Sequence, residues 1–348
     1  MKKIAYIEID THAEIMQGFM EIMQDSDEFQ VDYYVSEKVK GQISNSGQNT
    51  FVSDSSMILE QLKKKKYDLV IIGTVHRYFN TFHAIVKKYN AAVIVHNINF
   101  MNASRLDLIK SIFKEDILYR IKLLWKEGLS EASEVFKKAK NLLILDEGLS
   151  SGRLRFLPVF HIGNFEHQPK QELVIAIPGG VSQKRRDYNH IFDTIRNLRT
   201  DENLEFIFLG KAKGKELKQL EELSSSLPLN ITMTYFPERV SPQDFEKRMQ
   251  QADVLWCPIR QETEFFSQTE VYGRTKMTGN VGDAIKYGKP AIFPVNYPYA
   301  SDFIIPERKD ILEQFKMLKD TSFDFQEKYA KEAVQKRTEK VLNQLTAI

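Results

Sequence analysis

Short apolar runs alternate along the chain with stretches in which apolar residues recur at helical spacing. In the first half, the runs Ile4 to Ile9, Phe29 to Val35, Asp68 to Ile72, Ala91 to Val95 and Asn141 to Leu145 predict buried strands. Thr11 and Glu14 have the spacing of a capping box, which predicts a helix carrying Ile15, Phe19 and Ile22. Ile58 and Leu62 mark a second helix, and its basic end, Lys63 to Lys66, suits the negative pole of the helix dipole. Phe82 and Val86 mark a third. Lys40 to Ser56 is rich in Gly, Ser, Asn and Gln and predicts a loop.

The second half repeats the logic. Strands are predicted at Leu173 to Ile177, Leu204 to Leu209, Ile231 to Tyr235 and Ala252 to Cys257, with a short one beginning at Ala291. Helices fall between them: one over about 187–198, one opened by Ser241-Pro242, and one carrying Val281, Ala284 and Ile285. Gly288 suits the left-handed residue that ends that last helix, and Pro290 keeps it from restarting. Strands alternating with helices imply parallel sheets, and two such series imply an α/β chain of two Rossmann-like domains. Gly, Asn, His, Gln and Pro cluster at His161 to Gln171, where the seam is expected. The expected division is 1–165, 166–320 and a charged amphipathic helix in 321–348 that packs back on the first domain.

Composition narrows the function. A chain of 348 residues suits two cores, and 49 basic against 47 acidic residues leave none of the basic excess of a nucleic-acid binder. The single cysteine, Cys257, permits no internal disulfide or zinc cluster, so a reducing cytoplasm is the expected location. Met1-Lys2-Lys3 leads straight into IAYIEID, too short and too acidic for a signal peptide, and no apolar stretch is long enough to cross a bilayer. The segment 106–125, LDLIKSIFKEDILYRIKLLW, is dense in large apolar residues with lysines interleaved. Its expected fate is a buried helix pair. The alternative is a face lying on the inner surface of a membrane or gripping a lipid-linked acceptor.

In open parallel sheets, ligands bind beyond the carboxyl ends of the strands. Asp10 and His12 follow the first strand, His76 and Arg77 the strand ending at Ile72, and His96 and Asn97 the strand ending at Val95. Histidine at such an address can act as a general base or bind a sugar hydroxyl; otherwise it caps the next helix or bonds a backbone carbonyl. Glu8 lies within its strand. His83, His161, His167 and His190 read as surface or linker residues, and no histidine has metal-ligand spacing. Asp25 and Asp27 sit in a turn on the wrong side of the sheet to hold a metal.

In the second domain, Gly179-Gly180 follows the first strand and lets backbone approach a ligand closely. Lys184, Arg185 and Arg186 come next. Basic residues oppose the positive end of a helix, so three together point to a diphosphate. Further on, Glu270 precedes the polar loop holding Arg274, Thr275, Lys276, Thr278 and Gly279, which opens onto a helix start. Helix amides beside such groups suit a phosphate, and Glu270 a sugar hydroxyl. Glu262, Glu264 and Glu270 all follow the strand ending at Cys257.

Four stretches carry a family resemblance: AVIVHNINF, IPGGVSQKRRDYNHIFDTI, ADVLWCPIR and EVYGRTKMTGNVGDAIKYGKPAIFP. Together they resemble glycosyltransferases of the GT-B fold, closest to the large retaining class that includes bacterial polysaccharide and lipid-sugar transferases. The resemblance implies two Rossmann-like domains facing across a cleft, an acceptor bound by the first and a nucleotide-diphosphate sugar by the second. It implies no metal or other cofactor. His96 and His12 would be catalytic, with Asp10, His76 and Asn97 toward the acceptor. Gly179, Gly180, Lys184, Arg185, Glu270, Thr275, Lys276, Thr278 and Gly279 would bind the donor. The closely spaced glutamate pair of that class is not reproduced, since Glu270 stands thirteen positions before Asp283. That departure motivates a second reading, a non-catalytic nucleotide-sugar or glycan-binding subunit; a sugar-nucleotide epimerase of the same architecture is a third, and it calls for a richer set of acidic residues than the sequence offers.

Overall fold

The computed structural model describes residues 1–44, 47–165, 172–298 and 301–347. His167 and most of the expected seam lie outside the described residues. The chain forms two compact units, and neither is a contiguous piece of sequence. The first comprises Met1–His161, Glu264–Met277 and the chain from Lys328 onward; the second comprises Ile162–Thr263 and Thr278–Glu327. The stretch Glu264–Met277, expected in the second domain, therefore belongs by its contacts to the first unit.

The first unit is built on a seven-stranded parallel sheet: β1 (Lys2–Glu8), β2 (Phe29–Val35), β3 (Thr50–Val52), β4 (Leu69–Ile72), β5 (Ala91–Ile94), β6 (Asn141–Ile144) and β7 (Leu154–Phe156). Their spatial order is β3-β2-β1-β4-β5-β6-β7, so the winding direction reverses between β1 and β4. In the central strand, Ile4 pairs with Val31 on one side and Leu69 on the other. Ala5 and Ile7 enter one core and Ile4 and Tyr6 the opposite one, which is why the strand reads as an unbroken apolar run. The helix Lys331–Thr346 supplies Val334, Leu342 and Leu345 to the core that also holds Tyr6 and Phe19.

Two expectations change here. The Lys40–Ser56 loop contains β3, a three-residue edge strand. The capping box at Thr11 does not form: the helix Ala13–Met23 is preceded by His12 in the left-handed conformation (φ 60°), and no side chain caps it.

The second unit has a six-stranded parallel sheet: β8 (Leu173–Pro178), β9 (Leu204–Lys211), β10 (Ile231–Phe236), β11 (Val254–Trp256), β14 (Ala291–Phe293) and β15 (Ile304–Pro306), ordered β10-β9-β8-β11-β14-β15. Its winding reverses between β8 and β11. Between β11 and β14 the chain forms a separate two-stranded ribbon, β12 (Glu262–Phe265) and β13 (Gln268–Val271). Ser241 caps the helix Pro242–Gln251 by accepting from the Asp244 amide, with proline at the first turn. Gly288 ends the helix Gly279–Tyr287 at φ 60°, the left-handed position that favours glycine.

Candidate functional sites

Each sheet carries a polar set at the carboxyl ends of its strands where the winding reverses, the usual ligand address of open α/β sheets. In the first unit, three imidazoles meet there. His12 stacks on His96 with ring centroids 4.2 Å apart and planes 12° from parallel, and His76 lies edge-on to both at 5.6 Å. The left-handed backbone at His12, which costs a non-glycine residue about 1–2 kcal/mol, brings its ring over His96.

Hydrogen bonds define which nitrogen of each ring carries a proton. His96 Nε2 lies 2.8 Å from the Gly73 carbonyl, so it donates there and Nδ1 is left with its lone pair. Lys276 donates to Asn97 Oδ1 and turns the Asn97 amide nitrogen toward His76 Nε2, 3.1 Å away, which therefore accepts. His12 Nδ1 lies 3.1 Å from Glu14 Oε1 and donates to it, leaving Nε2 as the basic nitrogen. Burial, and next the like charge that His12 carries when protonated, holds His76 and His96 well below the usual imidazole range. Both are neutral at physiological pH.

Carboxyl groups complete the set. Glu8, the last residue of β1, is buried. It accepts from the Thr74 hydroxyl at 2.6 Å and from the Asp10 and Thr11 amides at 3.4 and 3.3 Å. Burial pushes its pKa up to about 8 despite those three donors. Asp10 is also raised by burial, against the pull of Arg77 and Lys38. Arg77 holds Glu127 through both arms of its guanidinium, and the Tyr78 amide adds a bond to the same carboxylate at 3.1 Å.

Three of the expected donor ligands make hydrogen bonds within the first unit. Glu270 is fully buried and accepts from the amides of Phe100 (2.8 Å) and Asn99 (3.3 Å), capping the helix Ile98–Asn102. Thr275 accepts from the Val271 amide through its hydroxyl and from the Ile98 amide through its carbonyl. Lys276 bonds Asn97 beside His76.

In the second unit, β8 ends in the Gly179-Gly180 turn. Gly179 has φ 111°, and a Cβ there would meet the Arg186 guanidinium at 2.2 Å. The backbone conformation favours glycine, and a Cβ would push the guanidinium off the turn. The Tyr188 hydroxyl donates to the Gly179 carbonyl at 3.1 Å. Arg186 donates to Asn280 Oδ1 at 3.2 Å, and Asn280 Nδ2 donates to the Pro178 carbonyl at 3.2 Å. Thr278 caps the helix Gly279–Tyr287 by accepting from the Asn280 amide. The helix start, the glycine turn and one guanidinium are thus fastened together.

Of the three consecutive basic residues, it is Arg186 that lies against the turn, with a buried Nε that has no hydrogen-bond partner among the described residues. Lys184 and Arg185 are exposed. Sequence reasoning did not single out Arg186 or Asn280. The run of three basic residues was visible, but the backbone bridge from Arg186 to Ile259 that decides which one turns inward is a long-range contact. A cavity of about 550 Å³ opens beyond β11, β14 and β15, lined by His190, Arg260, Glu307 and Lys309 among others. His190, expected on the surface, bonds Glu307 at 2.5 Å, and that bond raises its pKa; Trp256 donates to the other oxygen at 3.0 Å.

No protein-family model matches the chain, and no curated protein matches its sequence. Solved structures match its shape. The Anabaena protein Alr3699/HepE, in complex with UDP-glucose, aligns with a TM-score of 0.54 at 9% identity over 99% of this chain and 100% of that one. The lipopolysaccharide outer core galactosyltransferase WaaB, in its apo form, gives 0.54 at 12% identity over 98% and 99%. The fold is GT-B. A UDP-GlcNAc 2-epimerase from Methanocaldococcus jannaschii shares this GT-B architecture, with a TM-score of 0.53 at 12% identity over 98% and 99%. At these identities the likeness is one of fold.

Proposed function

We propose that this chain is a glycosyltransferase that moves a sugar from a nucleotide-diphosphate sugar to a saccharide or lipid-linked acceptor. One observation carries the reading: in a GT-B fold, the two switch points hold polar sets of different kinds. The first set is imidazoles and carboxyls suited to hydroxyl groups; the second is a glycine turn, a guanidinium and a capped helix start suited to phosphate. The second unit takes the donor. Amides of the turn and of the Gly279 helix start, with Arg186 and the nearby Lys184 and Arg185, stabilise the departing diphosphate without calling on a metal. The first unit takes the acceptor. His12 receives the hydroxyl proton on Nε2 while Glu14 holds its other nitrogen, and His96 keeps the ring in place by stacking. Asp10, His76 and Asn97 orient the acceptor.

The test is a panel of UDP-, GDP- and ADP-sugars assayed for nucleotide release with a mixture of saccharide acceptors. Turnover with one donor is expected, and His12→Ala should lower it about 10²–10⁴-fold while calorimetric donor binding is kept. No binding and no turnover with any donor would sink the reading. Two other outcomes point elsewhere. Isomerised donor formed without an acceptor is the epimerase outcome, which the Methanocaldococcus neighbour motivates. Tight donor binding with no turnover, indifferent to His96→Ala, is the outcome for a binding subunit.

A further inference from the structure

Large apolar side chains that face solvent are concentrated in one place. Of twelve among the described residues, seven fall between Leu106 and Trp125, while the others are scattered singly. Leu118 is 87% exposed, Trp125 81%, Phe113 71% and Leu106 68%. Exposed apolar residues gathered in one segment of twenty residues point to an interaction surface, whereas isolated ones do not.

The segment is not loosely held. It comprises the helices Arg105–Ser111 and Ile117–Lys122 and a π-helical turn, Leu123–Glu127. Leu108, Ile112 and Leu123 anchor its inner side in the core of the first unit. Arg120 is buried beneath it, donating to the Ser111 carbonyl and, at 2.7 Å, to the Ser267 hydroxyl. The element therefore has one apolar side spent on the core and a second turned to solvent.

Charge distinguishes the occupant. Lys110, Lys114, Lys122 and Lys126 are exposed among the apolar residues, and none is ion-paired among the described residues. The acids are largely engaged: Asp107 in the Ser104 capping box, Glu115 with Arg120, Glu127 with Arg77. Asp116 is exposed. Lysines ringing Leu, Phe and an outward Trp suit the headgroup region of a bilayer: the rings sit at the interface and the ammonium groups reach anionic phosphates. No helix among the described residues is long and apolar enough to cross a membrane.

We propose that residues 105–127 dock this protein on a membrane surface containing anionic lipid. The patch adjoins the histidine site: Tyr119 lies near enough to Arg77, Glu127 and Asp10 to feel their charges. A lipid-linked acceptor would then meet Asp10 at the bilayer surface, a consequence that rests on the proposed function. The docking itself does not.

The test is flotation of the full chain with vesicles of phosphatidylcholine alone and of phosphatidylcholine with phosphatidylglycerol, without donor. Flotation with the anionic vesicles is expected. It should fall about tenfold or more in the double variant Leu118→Ser, Trp125→Ser, whose substitutions are both outside the core and whose fold circular dichroism checks. Lys114→Glu with Lys122→Glu should also weaken it, as should added salt. Only two tryptophans are present, and Trp256 is buried. Anionic vesicles should therefore shift Trp125 emission to the blue, and Trp125→Phe should abolish the shift. Absence of flotation, or equal flotation of wild type and apolar variant, overturns the proposal. So does a dimer in solution that the apolar variant converts to monomer, since the patch would then belong to a second copy. Donor turnover with no vesicle binding would remove this inference alone.

Discussion

Glu8→Gln should make stability less sensitive to pH. The Glu8 carboxyl titrates near pH 8 in the folded chain, against 4.5 for an ordinary glutamate, because burial penalises its charge more than its three donors repay. The folded state thus holds this proton more tightly than the unfolded state. Its contribution is fully present below pH 4.5 and is lost as the pH rises through about 8. Over that window the wild type should lose up to about 1.4 kcal/mol per pH unit from this group, or on the order of 5 kcal/mol in all. Glutamine has the same shape. Its carbonyl can accept from the Asp10 and Thr11 amides, and the Thr74 hydroxyl can turn to accept from its amide. Urea unfolding of both proteins, followed by circular dichroism from pH 5 to pH 9, measures the difference. The variant should gain on the wild type steadily up to pH 8 and then hold its lead. Parallel stability curves across that range would refute the assignment of a protonated, buried carboxyl.

Glu270→Ala should destabilise the first unit by about 2–3 kcal/mol in the same unfolding assay, because two amides at a helix start lose a buried carboxylate; Glu270→Gln, which can still accept, should cost clearly less. Equal losses would argue that the charge rather than the acceptor geometry matters. Gly179→Ala forces a left-handed alanine into the space of the Arg186 guanidinium. Nucleoside diphosphate binding, measured by calorimetry, should weaken about tenfold or more, and unchanged affinity would remove the glycine turn from the phosphate site.

Both sheets were legible because their central strands are buried on two faces, and long apolar runs such as Ile4 to Ile9 announce that. The edges were not. β3, β7 and β15 are each three residues long, too short for a period to develop in them. The segment 106–125 reads alike whether its apolar residues face inward or outward, and its exposed side became visible only in three dimensions. At the sites, strand ends identified His12, His76 and His96 because their address is set by topology. Their mutual stacking depends on a left-handed residue that a capping-box reading of Thr11 and Glu14 concealed. Glu270 shows the opposite limit: its bonds to amides of a helix 170 residues earlier leave no trace in the local sequence.

The discontinuous first unit sets an order of events during synthesis. Its last core residues, Val334, Leu342 and Leu345, are made only after the whole second unit. At ribosomal rates the interval from His161 to Leu345 is roughly 10–40 s. Until then, the face of the first sheet bearing Tyr6 and Phe19 lacks part of its cover. The second unit can complete its own core sooner. A nascent chain of this protein should therefore engage chaperones through its N-terminal half and remain protease-sensitive there until the closing helix is released.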